Sequence, residues 1–227
     1  MKLPPVILVT GTDTGVGKTI TTAAITAALH ARGRTVAVYK PCQSGNALGD
    51  SDCAEIARLA DPVTSEAGVV LEEPMAPVPA AALDEVTLPS LAVHANRIRE
   101  LTARHDHVLV EGAGGLLVEL DHDGGTLADL GTHLGGMAGF AVVARPALGT
   151  LNHTALTLEA LDSRTLPVVG VVLGSWPARP GAVELSNRAT LRSWPVPFLG
   201  AVPDGASGLD PTDFRSHAGE WLEGLPV

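Results

Sequence analysis

Residues 6–19 constrain this chain most. Val6-Ile7-Leu8-Val9-Thr10 runs into Gly11-Thr12-Asp13-Thr14-Gly15-Val16-Gly17-Lys18-Thr19, and a helix-compatible run follows from Ile20 to Ala31. An apolar strand that ends in a glycine-rich turn before a helix is the build of a phosphate-binding loop. Its backbone N–H groups form a concave nest at a helix N-terminus, where oriented peptide dipoles favour a phosphate. In that build Lys18 reaches the β- and γ-phosphates and the Thr19 hydroxyl sits on Mg²⁺. The strict pattern G-x-x-x-x-G-K-[ST] fails by one residue, because Thr12 stands where its first glycine belongs.

Lysine usage points the same way. The chain has three lysines, Lys2, Lys18 and Lys40, against twelve arginines. A lysine kept in such a chain suits a task that needs a compact point charge, which the planar guanidinium does not supply. Lys40 ends a second apolar strand, Thr35-Val36-Ala37-Val38-Tyr39, and Pro41-Cys42-Gln43-Ser44-Gly45 follows. By itself Lys40 reads as a solvated strand-end lysine; beside a phosphate loop it reads as a second cation for the ligand.

At 227 residues the length predicts a single domain over 1–227. Short apolar runs alternate with helix-like segments. Strands are predicted at 6–10, 35–40, 107–111, 139–144, 166–173 and 197–201, and helices at 17–32, 51–60, 88–104, 126–134, 151–163, 181–193 and 212–223. Strands that are apolar on both faces and separated by helices imply an α/β fold, with a parallel central sheet flanked by helices on both faces. Ligands then bind outside the carboxyl ends of the strands. The polar and glycine residues collect there: Thr10-Gly11, Lys40-Pro41, Glu111-Gly112 and Gly174-Ser175. The proline-rich stretch 72–80 reads as a surface loop over a pocket.

The formal charge of −10 leaves no basic stripe to follow a nucleic-acid backbone. Cys42 and Cys53 lack metal or redox spacing and read as reduced thiols of a cytoplasmic protein. The N-terminal residues run straight into the first strand, and no apolar stretch reaches the length of a membrane span.

The predicted strand His107-Val108-Leu109-Val110-Glu111 ends in a carboxylate, and Gly112-Ala113-Gly114-Gly115 follows. Such a carboxylate beside a phosphate loop orients Mg²⁺ or its water shell, and a second one has room to help. Asp50 and Asp52 are the candidates, although one of them is expected to cap the helix that follows. Thr150 or Asn152 could likewise cap the helix after Leu148-Gly149. The clusters His105-Asp106-His107 and Asp121-His122-Asp123 carry metal-ligand residue types at spacings that favour a structural reading.

Five segments together resemble the dethiobiotin synthetase family: Gly-Thr-Asp-Thr-Gly-Val-Gly-Lys-Thr at 11–19, Tyr-Lys-Pro-Cys-Gln-Ser-Gly at 39–45, Ser-Asp at 51–52, Val-Glu-Gly-Ala-Gly-Gly at 110–115 and Leu-Gly-Thr-Leu-Asn-His-Thr at 148–154. The resemblance covers nearly the whole chain. It implies the P-loop nucleoside triphosphate hydrolase fold and ATP-dependent closure of a ureido ring on 7,8-diaminononanoate. Carbon dioxide adds to one amine, the carbamate oxygen attacks the ATP γ-phosphate, and the second amine closes the ring with loss of phosphate. It implies Lys18 and Lys40 as the residues that stabilise transferring charge, and Thr19, Asp52 and Glu111 as ligands of Mg²⁺. The nucleotide would meet Thr14, Gly15, Val16, Gly17, Lys18, Thr19, Asp52, Glu111, Gly112, Ala113, Gly114, Gly174 and Ser175. Pro203, Asp204, Gly205 and Ala206 would form the other wall of the base pocket. The diamine would meet Thr14, Lys40, Ser44, Gly114 and Val118. Its carboxylate tail would meet Leu148, Gly149, Thr150, Leu151 and Asn152 of the other subunit of a homodimer.

Gly174 departs from the family's frequent asparagine, whose amide reads the adenine edge. Weaker discrimination for adenine, and use of other nucleoside triphosphates, is therefore expected. Two further P-loop classes compete. Cobyrinic acid amidating synthases usually carry an added glutaminase domain, for which this chain has no space. Partner-regulated switch ATPases of the chromosome-partitioning type carry a lysine early in the loop, and here Asp13 holds that place.

Overall fold

In the computed structural model, residues 2–226 are described, apart from Asp50 and Val63. Among the described residues, seven strands form one sheet, all pairs parallel, in the order β3-β2-β4-β1-β5-β6-β7. They are β1 Val6–Gly11, β2 Val36–Gln43, β3 Thr64–Val70, β4 His107–Gly115, β5 Ala138–Ala144, β6 Val168–Trp176 and β7 Phe198–Pro203. The helices are α1 Lys18–His30, α2 Asp52–Ala60, α3 Pro77–Leu83, α4 Leu91–Thr102, α5 Leu127–Leu134, α6 Thr150–Asp162, α7 Ala182–Ser193 and α8 Pro211–Trp221.

Alternation along the strands divides the core. Val6, Leu8, Val108, Val110, Phe140 and Val142 face α3 to α7. Ile7, Val9, Leu109, Ala141 and Val143 face α1, α2 and α8. Successive side chains on a strand point to opposite faces, so a strand covered on both sides must be apolar at every position. The central strands β1 and β5 are buried throughout.

Two elements escape a reading by apolar runs. β3 has the sequence TSEAGVV and is mostly half-buried at the sheet edge. It carries no apolar run, and its pairing with β2 comes from tertiary context. α3 opens on Pro77 in its first turn, where a missing N–H costs nothing. The segment predicted as loop over 72–80 is thus loop only up to Ala76.

Lys40 and Glu111, predicted at strand ends, lie inside β2 and β4, which run on to Gln43 and Gly115. The α2 cap is Ser51, whose hydroxyl accepts the Ala54 N–H at 3.2 Å. Asp52 is therefore not the cap, and Asp50 lies outside the described residues. Gly149, left-handed at φ 94°, caps α6 without a side-chain bond, so neither Thr150 nor Asn152 has that task.

The two histidine–aspartate clusters hold structure. Asp106 accepts from the Thr35 N–H at 2.8 Å and hydroxyl at 2.9 Å. His107 Nδ1 meets the Pro4 carbonyl at 3.0 Å. Asp121 accepts from the backbone N–H groups of Leu91, Asp123 and Gly125. Cys42 and Cys53 are free thiols, and burial pushes the Cys42 thiol up to about 12. Among the described residues no helix is long and apolar enough to cross a membrane.

One buried group predicts a pH dependence. His94 on α4 is fully buried, and its Nδ1 lies 2.7 Å from the Tyr39 hydroxyl of β2. Burial pushes the imidazole down to about 4 from an ordinary 6.5, against a weaker upward pull from Asp121. The folded value lies below the unfolded one, so the unfolded chain takes up the proton first as pH falls. The contribution is held above pH 6.5 and is lost toward pH 4. Between pH 7 and 4.5 the wild type should lose about 2 kcal/mol more stability than His94→Gln. Urea unfolding at the two pH values measures this, and equal losses would refute it.

Candidate functional site

The phosphate loop is shaped by close approach. Gly15 and Gly17 take left-handed conformations at φ 70° and 93°, and Gly17 caps α1. A Cβ on Gly11 would lie 2.6 Å from the Asp13 carbonyl oxygen and 3.0 Å from Lys18 Nζ. The tight glycine therefore sits one residue before the consensus position, which explains how Thr12 is accommodated there. The Thr12 N–H donates to the Val143 carbonyl at 2.9 Å and fastens the loop to β5. The Lys18 ammonium donates to the Asp13 carbonyl at 3.1 Å, inside the curl of the loop.

Four polar side chains converge beside that loop. Lys40 Nζ lies 2.5 Å from Asp52 Oδ2 and 2.8 Å from Glu111 Oε1. The Thr19 hydroxyl is 3.0 Å from Asp52 Oδ1 and 3.0 Å from Glu111 Oε1. Topology makes the cluster: β2 supplies Lys40, β4 supplies Glu111, and the first turns of α1 and α2 supply Thr19 and Asp52.

Burial sharpens the electrostatics. Glu111 is 1% exposed and Lys40 is 4% exposed. Burial alone would lower the Lys40 pKa, but the charges of Glu111 and Asp52 outweigh it and hold the ammonium above its usual range. Burial pulls Lys18 below its usual value, and repulsion from Lys40 adds to this against attraction to Glu111. Lys40 is thus a firmly held cation, whereas Lys18 gains from an incoming anion.

Glu111 Oε2 is buried without a hydrogen-bond partner. A hydroxyl and two carboxylates, one with an orphaned buried oxygen, fit the hard-oxygen demand of Mg²⁺.

These residues line one cavity of about 600 Å³. Of the residues expected at the site, it takes in Thr14, Gly15, Gly17, Lys18, Thr19, Lys40, Ser44, Asp52, Glu111, Gly112, Ala113, Gly114, Val118 and Ser175. Ile20, Pro74, Met75 and Ala76 also line it and were not anticipated individually. The proline-rich stretch gave the position of that wall but not its residues.

The other expected residues lie outside the lining. Val16 is a loop residue buried at 2% exposure. Gly174 backs the loop, because a Cβ there would lie 2.0 Å from the Val16 carbonyl oxygen. Pro203 closes β7 and Asp204 to Ala206 follow it, where the Asp204 N–H donates to the Trp176 carbonyl at 2.8 Å. Leu148 is 84% exposed at the surface turn before α6, Gly149 and Asn152 are exposed, and Thr150 is buried.

A family model described as an AAA domain matches residues 6–209. An ATP-dependent dethiobiotin synthetase BioD from Mycobacterium avium is 51% identical, over 93% of this chain and 92% of its own length. One from Mycobacterium leprae is 49% identical over the same shares, 93% and 92%. Among solved structures, the septum site-determining protein MinD from Pyrococcus horikoshii, complexed with Mg-ADP, is similar at TM-score 0.64 and 17% identity, covering 98% of this chain and 94% of that one. Cobyrinic acid a,c-diamide synthase from Mycobacterium smegmatis, with bound ADP and magnesium, is similar at TM-score 0.58 and 17% identity, over 99% of each chain. At those identities both solved structures speak for the fold alone.

Proposed function

This chain belongs to the ATP-dependent dethiobiotin synthetase family, and from that premise we propose that its cavity closes the ureido ring of dethiobiotin in biotin biosynthesis. The substrates are 7,8-diaminononanoate, CO₂ and ATP. The observation that carries the reading is the meeting of Lys18 and Lys40 with Thr19, Asp52 and Glu111 in one cavity.

Each residue's part follows from its placement. The loop amides from Thr14 to Thr19 receive the phosphates. Lys18 rises from the Asp13 carbonyl toward the β- and γ-phosphates. Lys40, fixed between two carboxylates, presents its remaining N–H to the carbamate and the transferring phosphoryl group. Phosphoryl transfer asks a protein mainly for position and for charge aimed at the developing negative oxygens. The Thr14 and Ser44 hydroxyls and the Gly114–Val118 turn flank the reacting end of the diamine, and Met75 walls its chain. Thr19, Asp52 and Glu111 would hold Mg²⁺, which draws charge from the phosphate oxygens when bound.

The active form is read as a cytoplasmic homodimer. Leu148 to Asn152 lie outside their own chain's cavity at the N-terminus of α6, whose free amides and dipole favour a carboxylate. Offered to a second copy, that turn would receive the carboxylate tail of the substrate.

Phosphate release from Mg-ATP tests the reading. It should require both the diamine and bicarbonate. Slow release without either, stimulated instead by DNA or a protein partner, would move the chain to the switch ATPases. The metal set has its own test. Glu111→Gln should raise the Mg²⁺ concentration for half-maximal turnover roughly tenfold or more; an unchanged Mg²⁺ titration would remove Glu111 from the set.

A further inference from the structure

One charged pair touches the phosphate loop without belonging to the cluster described above. Asp13 lies in the loop, and its carboxylate has two partners. Oδ1 accepts the Thr14 N–H at 2.7 Å, and Oδ2 is ion-paired with Arg145 Nη2. The backbone carbonyl of the same residue accepts the Lys18 ammonium at 3.1 Å. The residue that orients both Lys18 and an amide of the nest therefore carries a negative charge on the outer side of the loop, beside the cavity rather than in its lining.

Arg145 is well placed to answer that charge. It is the first residue beyond β5, the strand to which the loop is already fastened through the Thr12 N–H and the Val143 carbonyl. Behind it, the buried Asn187 of α7 donates to the carbonyls of Pro146 at 2.8 Å and Ala147 at 3.2 Å. Arg145 Nε is itself buried without a hydrogen-bond partner. The guanidinium is thus delivered from a braced segment and engages the loop through Asp13.

We propose that Arg145 is a positioning residue for the nucleotide: through Asp13 it cancels the one carboxylate within the phosphate loop and holds in place the carbonyl that aims Lys18. The proposal rests on reading the cavity as a nucleoside triphosphate site. An ordinary half-exposed ion pair contributes little to stability, so its purpose here lies in the anion it admits. Without Arg145, the uncancelled charge of Asp13 repels an incoming polyphosphate from the loop's outer side.

The test is a double-mutant cycle on Mg-ADP affinity by calorimetry at low salt. Arg145→Ala should weaken binding about tenfold, with the loss falling on nucleotide KM rather than kcat. Asp13→Asn keeps the Oδ1 acceptor and removes the charge, so it should bind at least as tightly as wild type. The double variant should return to within about twofold of wild type, and Arg145→Lys should recover part of the loss. The deficit should shrink as salt rises, since half-exposed charges are screened. Arg145→Ala within twofold of wild type, a change in Tm alone, or a double variant as weak as Arg145→Ala would overturn the proposal. Failure of the wild type to bind Mg-ADP would instead sink the reading of the cavity, and the proposal with it. Diamine-dependent phosphate release stands independent of the cycle.

Discussion

Lys40→Ala is expected to lower kcat by about 10²-fold or more, the usual cost of removing a preorganised charge from a transferring group. The same change is expected to weaken the fold. From sequence alone, the alanine variant would be expected to fold almost unharmed, because Lys40 looks like the last, solvated residue of a strand. The structure places it inside β2 at 4% exposure, against Glu111 at 1%. Removing one partner of a buried pair leaves the other charge uncompensated, at a cost of about 3–5 kcal/mol. The lower end applies here, because Asp52 is partly solvated.

Catalytic and structural losses separate by pairing variants. Lys40→Met with Glu111→Gln removes both buried charges, so it should recover most of the stability of Lys40→Met alone while remaining inactive. Urea unfolding and steady-state phosphate release on the same preparations read both. A kcat within threefold of wild type in folded Lys40→Ala would end the proposed role. An unchanged midpoint in urea would refute the buried-pair argument.

The second large effect concerns Gly174. Lacking a side-chain amide at this position, the enzyme should accept ATP, CTP and GTP with kcat/KM values within about a hundredfold, short of what a site built to hydrogen-bond one base attains. Read from the resemblance, Gly174→Asn would restore an adenine-reading amide. The structure predicts the opposite. A Cβ at this position would sit 2.0 Å from the Val16 carbonyl oxygen and 3.1 Å from Val143 Cγ1. Both neighbours are buried, one in the phosphate loop and one in β5.

The asparagine must therefore push the loop off β6. Expected results are a loss of about 1–3 kcal/mol in stability, a raised KM for every nucleotide, and no gain in preference for ATP. Thermal unfolding and kcat/KM for the three nucleotides measure all three. A stable variant with more than a tenfold gain in the ATP to CTP ratio would show that the loop yields. Ser175, which does line the cavity, is in a left-handed conformation at φ 55°. It is the residue through which β6 meets the cavity.

Much of the molecule was legible in the chain because its signals are local. Unbroken apolar runs such as Val6–Val9 and Ala141–Val143 imply strands covered on both faces, and the strand–turn–helix at 6–31 carries its own phosphate nest. Lys18 and Thr19 could be singled out from the loop motif, and Lys40 and Glu111 because a polar residue closing an apolar run stands out against its neighbours. Edge strand β3 had no such contrast, since a strand half-open to solvent needs no apolar run. α3 was hidden by prolines that are harmless in a first helical turn.

The sequence by itself determined the parallel α/β architecture and the phosphate loop, and singled out the cations beside it, because periodicity and turn chemistry act over a few residues. Tertiary structure alone decided which residue caps α2 and so left Asp52 free to face Thr19 and Lys40. It alone also decided that Gly174 has to be bare and that Arg145 answers Asp13 across 132 positions of chain. Those outcomes depend on distances between strands and helices far apart in sequence, which are fixed only when the two faces of the sheet close their cores.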